Sequence, residues 1–186
     1  ALLTRPLSAL NAHPLVDGLR DMWSAYLGCQ DVVVTRSISD DATGHLDMYL
    51  KVLPDGRVLL GEYVAPFAPA TAAEENASRL DENASYLNGL ITPGGQPLSV
   101  LRMEMPGHRS SSEGGSVSTV PFTYLNATFF NGLNLWPAYT FDDWSESRAR
   151  AEAIWEDALP FHTHIWVDSE ELSFWSGAIH CVTRTI

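Results

Sequence analysis

The chain has 186 residues, 45% hydrophobic and 18% charged, enough to bury one core and too apolar for a disordered chain. Its 23 acids against 11 bases leave a formal net charge of −12, and Lys51 is the only lysine. Such a surface repels phosphate backbones and anionic lipid, which argues against nucleic-acid and membrane partners, and no apolar run approaches the roughly 18 residues of a membrane span.

Residues 14–28 place Leu15, Leu19, Met22, Trp23 and Tyr26 at helical spacing before Gly28, which predicts a helix. The run Asp31-Val-Val-Val-Thr35 predicts a short buried strand. Residues 46–64 hold two apolar runs split by Pro54-Asp55-Gly56, a hairpin with its turn chemistry in place. Residues 72–90 read as a helix and 98–103 as a strand. The Gly- and Ser-rich stretch 107–118 is the least structured and is expected to be a mobile loop.

The order then repeats. Residues 124–139 form a second hairpin broken by Asn131-Gly132, and 145–159 an amphipathic helix with Ala149, Ala153, Ile154 and Trp155 on one side. Residues 163–167 alternate like a strand, and 178–183 look like the first arm of a third hairpin. A recurring order of hairpin, helix and strand indicates an α/β architecture with a repeat, and no dinucleotide or P-loop glycine motif is present. The chain has no initiator Met or signal-like leader and stops at Arg184-Thr185-Ile186 within an apolar pattern. We therefore expect a single domain over 1–186 that is a fragment or processed piece of something longer.

Two cysteines, Cys29 and Cys181, allow at most one disulfide, and pairing would silence Cys181 as a nucleophile. Cys29 reads as a small buried residue. Sequons at Asn76, Asn83 and Asn126 are short enough to arise by chance.

Chemistry concentrates at a few positions. On a strand, His45 and Asp47 of Gly44-His45-Leu46-Asp47 point to one face, an imidazole and a carboxylate suited to proton transfer or cation binding. A surface His near an Asp is the plainer alternative. Cys181, in Gly177-Ala-Ile-His-Cys-Val-Thr183, is either a small buried hydrophobe or a thiol activated by a neighbouring imidazole. On a strand His180 points away from it, leaving His45 as the candidate base. His162 and His164 share a strand face and could form half a metal site, but solvent-facing edge residues are the simpler reading. Asn126 begins the second hairpin, either as a satisfied strand-end amide or as a site residue. Because equivalent starts of repeated hairpins gather near a common axis, His45, Asp47, Asn126 and Cys181 are expected to converge.

These segments (Gly44-His45-Leu46-Asp47, Pro121-Phe122-Thr123 leading to Asn126 and Phe129-Phe130-Asn131-Gly132, and Gly177 to Thr183) resemble the late motifs of the guanidine-modifying superfamily. The closest branch is that of the agmatine deiminases and bacterial-type peptidylarginine deiminases. Met48 stands where agmatine deiminases proper carry Asn, which leans toward the peptidylarginine type or a divergent, exported relative. The resemblance implies a pentein-type α/β-propeller, about three of five ββαβ-like modules of it here. It further implies hydrolysis of a guanidinium without metal or cofactor, on agmatine or an arginine side chain. Cys181 matches the family's nucleophile, His45 its general acid/base, Asp47 one of two guanidinium-holding carboxylates, and Asn126 a substrate-side polar residue. The second carboxylate is expected in an upstream module that this chain does not contain, and a complementary upstream fragment or a homo-oligomer is the expected assembly. Amidinotransfer and dihydrolysis are sibling chemistries. The alternative of another class is a non-catalytic fragment that binds a cation or a partner chain.

Overall fold

Two copies of one ββαβ unit organise the chain. The computed structural model describes residues 5–41, 43–66, 72–113, 116–175 and 177–183, with the backbone alone over 111–113 and 116–118. Helices α1 (Leu7–Asn11) and α2 (Pro14–Leu27) come first, then an extended segment and a 3-10 turn at Leu46–Met48. In the first unit, β1 (Leu50–Val52) pairs antiparallel with β2 (Val58–Glu62), α3 (Ala73–Asn88) crosses over, and β3 (Val100–Glu104) lies parallel to β2. A second hairpin follows, β4 (Gly107–Glu113) with β5 (Ser116–Phe122). The unit then recurs as β6 (Thr128–Phe130) antiparallel to β7 (Leu133–Ala138), crossover α4 (Ser145–Ala158), and β8 (Thr163–Asp168) parallel to β7. Short helices α5 (Glu170–Phe174) and α6 (Ile179–Val182) close the described residues.

Local chemistry accounts for both units. Asp55 accepts the Arg57 N–H at 3.0 Å and pairs with its guanidinium at 2.6 Å, fixing the first turn. Asn131 (φ 50°) and Gly132 (φ 75°) are both left-handed, as a type I′ turn between right-twisting strands requires. A parallel partner cannot be reached by a tight turn, so each hairpin is followed by a helix before its third strand. The helices bury a stripe at helical spacing: Ala73, Asn76, Leu80, Asn83, Ala84 and Leu87 on α3; Ser147, Ala151, Trp155 and Ala158 on α4. Trp136 and Trp155 are fully enclosed, and Phe122 packs edge-on against Tyr139, Trp144 and Phe174 with centroids 4.8, 5.2 and 5.3 Å apart. No helix among the described residues is long and apolar enough to cross a membrane.

Several sequence expectations are corrected. Residues 31–35 form no strand. Val34 exchanges both backbone bonds with the Asn11 amide (2.8 and 2.8 Å), and Arg36 both with the Asn83 amide (2.8 and 2.9 Å). Asn76 accepts the Ser39 N–H at 2.7 Å. Side-chain amides thus replace a neighbouring strand, holding the segment against α1 and α3. Asn76, Asn83 and Asn126 are each 0% exposed, so as folded these sequons offer no amide to a modifying enzyme. Asn83→Ala removes the bonds that the amide makes to the backbone N–H and carbonyl of Arg36, and we expect a loss of about 1–3 kcal/mol, read from the midpoint of urea unfolding. A change under about 0.5 kcal/mol would assign the segment's order to other contacts.

The stretch 107–118 is not a loop. Its described residues join a seven-pair antiparallel ladder from Gly107↔Phe122 to Glu113↔Ser116, a structure that needs backbone groups rather than an apolar composition. The ladder's base is anchored by buried Phe122 and by His108, which stacks on Tyr63 and brings Nε2 within 2.5 Å of Asp40 Oδ2. Gly114 and Gly115 lie outside the described residues. Residues 179–182 are helical rather than a hairpin arm. On α4, Trp155 is buried but Ala149 and Ala153 face solvent, while the apolar stripe of α2 (Leu15, Leu19, Met22, Trp23, Tyr26) lies exposed and only Val16 is enclosed. Cys29 is half-buried, and both cysteines are free thiols.

Candidate active site

Three segments that precede or follow the two units meet at one place. In the first, Asp41 accepts the Thr43 N–H at 2.9 Å and the His45 N–H at 2.9 Å, and His45 leads into the 3-10 turn Leu46–Met48. His45 and Asp47 therefore sit on a tight turn ahead of β1, not on the strand the alternation suggested. In the second, Tyr139, fully buried, donates to the Thr123 carbonyl at 2.8 Å and accepts the Thr123 N–H at 3.3 Å. Burial raises this phenol's ionisation above its usual range, although bonds from Ser173 and Thr123 oppose that, so it stays neutral and able to donate. Thr123 Oγ1 accepts the Leu125 N–H at 2.9 Å, which turns the chain to present Asn126.

Asn126 organises the third segment. Its Oδ1 accepts the backbone N–H groups of Ala178 and Cys181, each at 3.2 Å, and its carbonyl accepts the His180 N–H at 3.0 Å. These bonds take the donors that a hairpin arm would have given to a strand, and they wind 179–182 into one helical turn. Gly177 makes room for it: a Cβ there would sit 2.9 Å from the Cys181 Cβ.

The side chains converge as well. Cys181 is exposed; its Sγ accepts from Asn126 Nδ2 at 3.2 Å and lies 3.7 Å from Asp47 Oδ2. One ligating atom each from His45, Asp47 and Cys181 falls within 4.8 Å of the others. This nitrogen, oxygen and sulfur could surround a metal ion or a planar organic cation. The buried-hydrophobe reading of Cys181 thus gives way to an accessible thiol. Asn126, 0% exposed, has its amide committed to the protein.

Lys51, missed as a site residue although it is the chain's only lysine, follows Asp47 on β1 and lies 5.2 Å from the Phe129 ring centre. Burial lowers its pKa, and the charges of Asp47 and Cys181 oppose that, placing all three in one electrostatic neighbourhood. A cation beside a thiol favours the thiolate. We expect Lys51→Met to slow iodoacetamide alkylation of Cys181 near neutral pH about threefold to tenfold. An unchanged rate would mean the sulfur does not feel the ammonium.

His180 was also missed, because strand alternation aimed it away from the sulfur. On the short helix its Nδ1 lies 2.5 Å from Asp47 Oδ2. The other histidines serve the fold. His13 caps α2 by accepting the Leu15 N–H, and both ring nitrogens of His164 are engaged, with Asn134 Nδ2 and the Leu159 carbonyl at 3.1 Å each. His162 precedes β8, so the pair does not form the ligand face that the spacing allowed. A cavity of about 810 Å³ lined by Tyr63, His108, Arg109 and Trp144 includes none of the converging residues.

Residues 11–186 match the family model of Porphyromonas-type peptidyl-arginine deiminase. A curated Vibrio parahaemolyticus relative, assigned as an agmatine deiminase, is 24% identical over 183 residues, covering 90% of this chain and 48% of that protein. The solved agmatine deiminase of Enterococcus faecalis superimposes with a TM-score of 0.72 at 16% identity, covering 90% of this chain and 47% of the other. That of Campylobacter jejuni gives 0.63 at 16% identity, covering 89% and 45%. The mixed α/β fold is therefore that of the agmatine deiminase structures, and the chain spans about half the length of these relatives.

Proposed function

We propose, for a chain that belongs to the Porphyromonas-type peptidyl-arginine deiminase family, that its converging residues carry out hydrolytic deimination of a guanidinium. The substrate is agmatine or the arginine side chain of a peptide, and the products are the ureido compound and ammonia. The observation that carries this reading is the meeting of an accessible thiol, a carboxylate and an imidazole within 4.8 Å. A thiol brought beside an imidazole and a carboxylate that lie 134 or more positions earlier in the chain is more than packing requires.

A guanidinium is planar, permanently charged and forked, and a carboxylate such as Asp47 can grip it through two N–H groups. Asp47 Oδ2, 3.7 Å from Cys181 Sγ, then sets the cation's central carbon beside the sulfur. The Cys181 thiolate attacks that carbon, forming a C–S bond and a tetrahedral adduct. His45, as imidazolium, gives its proton to one amino nitrogen, the C–N bond breaks, and ammonia leaves behind an S-alkylthiouronium. Neutral His45 takes a proton from water, whose oxygen adds to the carbon; the C–S bond breaks, returning the electron pair to sulfur, and the remaining hydroxyl proton passes to solvent, where it accounts for the ammonium, as the ureido product leaves. The Asn126 amide N–H, 3.2 Å from Sγ, favours the thiolate at both ends of the cycle.

The two ββαβ units read as consecutive blades of a partial α/β-propeller, with 177–183 opening a third. A second carboxylate for the guanidinium belongs, in this proposal, to the half of the relatives' length that this chain does not match. The test is to incubate the protein, alone and together with the half of the relatives' length that it does not match, with agmatine and with a blocked arginine peptide, measuring ammonia and ureido product. Equal amounts of both products from at least one substrate are expected once that half is supplied. Neither product from either substrate with that half present would favour a binding module instead.

A further inference from the structure

The Asp47 oxygen that would face a substrate already has an occupant. His180 Nδ1 lies 2.5 Å from Asp47 Oδ2, the same oxygen that stands 3.7 Å from Cys181 Sγ. An ionised carboxylate only accepts, so the imidazole is the donor, taking the place of a guanidinium N–H. The His180 side chain is 47% exposed, against 20% for Asp47, so water is open to the ring if it leaves. It rides on the four-residue helix α6, whose backbone is held by Asn126 independently of the ring. The imidazole can therefore swing away without unwinding the segment that carries Cys181.

We propose that His180 is a substrate-displaced latch: its imidazole holds the Asp47 carboxylate in the empty site and yields that oxygen to the incoming guanidinium. The proposal deepens the deimination reading and rests on it. The latch selects by shape. A forked cation replaces one hydrogen bond with two parallel ones, whereas a simple ammonium exchanges one for one and gains little over the resident ring. His180 is on this account a positioning and specificity residue and takes no part in bond making. Its ring faces the carboxylate of Asp47, which in turn has the thiol of Cys181 at 3.7 Å, His45 within the same cluster and the charge of Lys51 acting on it.

Isothermal titration of the chain with methylguanidine and with methylammonium, using wild type, His180→Ala, His180→Asn and Asp47→Asn, separates the possibilities. A partly exposed ion pair is a weak competitor, so His180→Ala is expected to bind methylguanidine about twofold to fivefold more tightly than wild type. His180→Asn, which keeps a neutral donor, falls between them. Methylammonium gains more than methylguanidine on removal of the ring, narrowing the preference between the two. A ring with a merely structural role would leave affinity unchanged or weaken it in His180→Ala, and either result overturns the latch. Asp47→Asn reports on the underlying reading. If wild type binds methylguanidine and Asp47→Asn binds it equally well, or if wild type does not bind it, the carboxylate is not the guanidinium's partner. The deimination assignment of Asp47 then fails, and the latch with it.

Discussion

Replacing Cys181 by alanine is expected to lower deimination by about a thousandfold or more while leaving the fold in place. A thousandfold corresponds to about 4 kcal/mol of lost transition-state stabilisation, more than exposed substitutions cost in folding. The side chain is exposed, and the bonds that hold its segment run through the backbone N–H of Cys181 to Asn126 Oδ1, which alanine keeps. Unfolding free energy should therefore stay within about 0.5 kcal/mol of wild type, and circular dichroism should be unchanged. Cys181→Ser sharpens the comparison. An alkoxide is far harder to form at neutral pH than a thiolate, so an isosteric hydroxyl at the same place should also be nearly inert. Ammonia release that survives either substitution would mean water attacks the guanidinium directly, with His45 as base and no covalent intermediate.

Much of this arrangement is written in short-range chemistry. Asn131-Gly132 and Pro54-Asp55-Gly56 announce their turns because only a few residue types tolerate those backbone angles or supply the turn's side-chain acceptor. Helix α3 shows its buried stripe because burial recurs at the helical period. His45, Asp47, Asn126 and Cys181 stand out because equivalent places in a repeated unit carry polar groups. What stays hidden is set by partners distant in sequence. Nothing local tells Val34 that its N–H and C=O will go to Asn11, or Arg36 that Asn83, 47 positions away, will replace a neighbouring strand. The segment 177–183 looks extended for the same reason, since its donors turn inward only once Asn126 is in place. That one misjudgement also hid His180, because strand alternation and a helical turn aim residue 180 in different directions relative to Cys181. The chain's lone lysine could have been found from composition alone. In a chain that excludes lysine elsewhere, the one retained, four positions after the Asp47 carboxylate, marks a place where a cation is needed.

Asn126 carries the second large effect, and its amide should be read as the support of the nucleophile. Asn126→Ala removes the acceptor of two backbone N–H groups, those of Ala178 and Cys181, and of these Ala178 is fully buried. Each unpaired donor costs about 1–3 kcal/mol, so a loss of about 2–5 kcal/mol is expected on chemical unfolding, with the 177–183 segment loosening first. Turnover should fall a hundredfold or more, because a displacement of about 1 Å at the sulfur is enough for that. Stability and catalysis would then move together, and alanine alone cannot say which is primary. Asn126→Asp separates them. It keeps an acceptor for both N–H groups and retains most of the stability, but it replaces the donor 3.2 Å from Sγ with a second negative oxygen close to Asp47. Like charge beside a thiolate raises its pKa, so alkylation of Cys181 near neutral pH should slow at least about tenfold in a protein that still folds. An aspartate variant that folds and alkylates at the wild-type rate would show that the amide holds the α6 backbone without tuning the sulfur. The thiolate would then owe its stabilisation to Lys51 and His45.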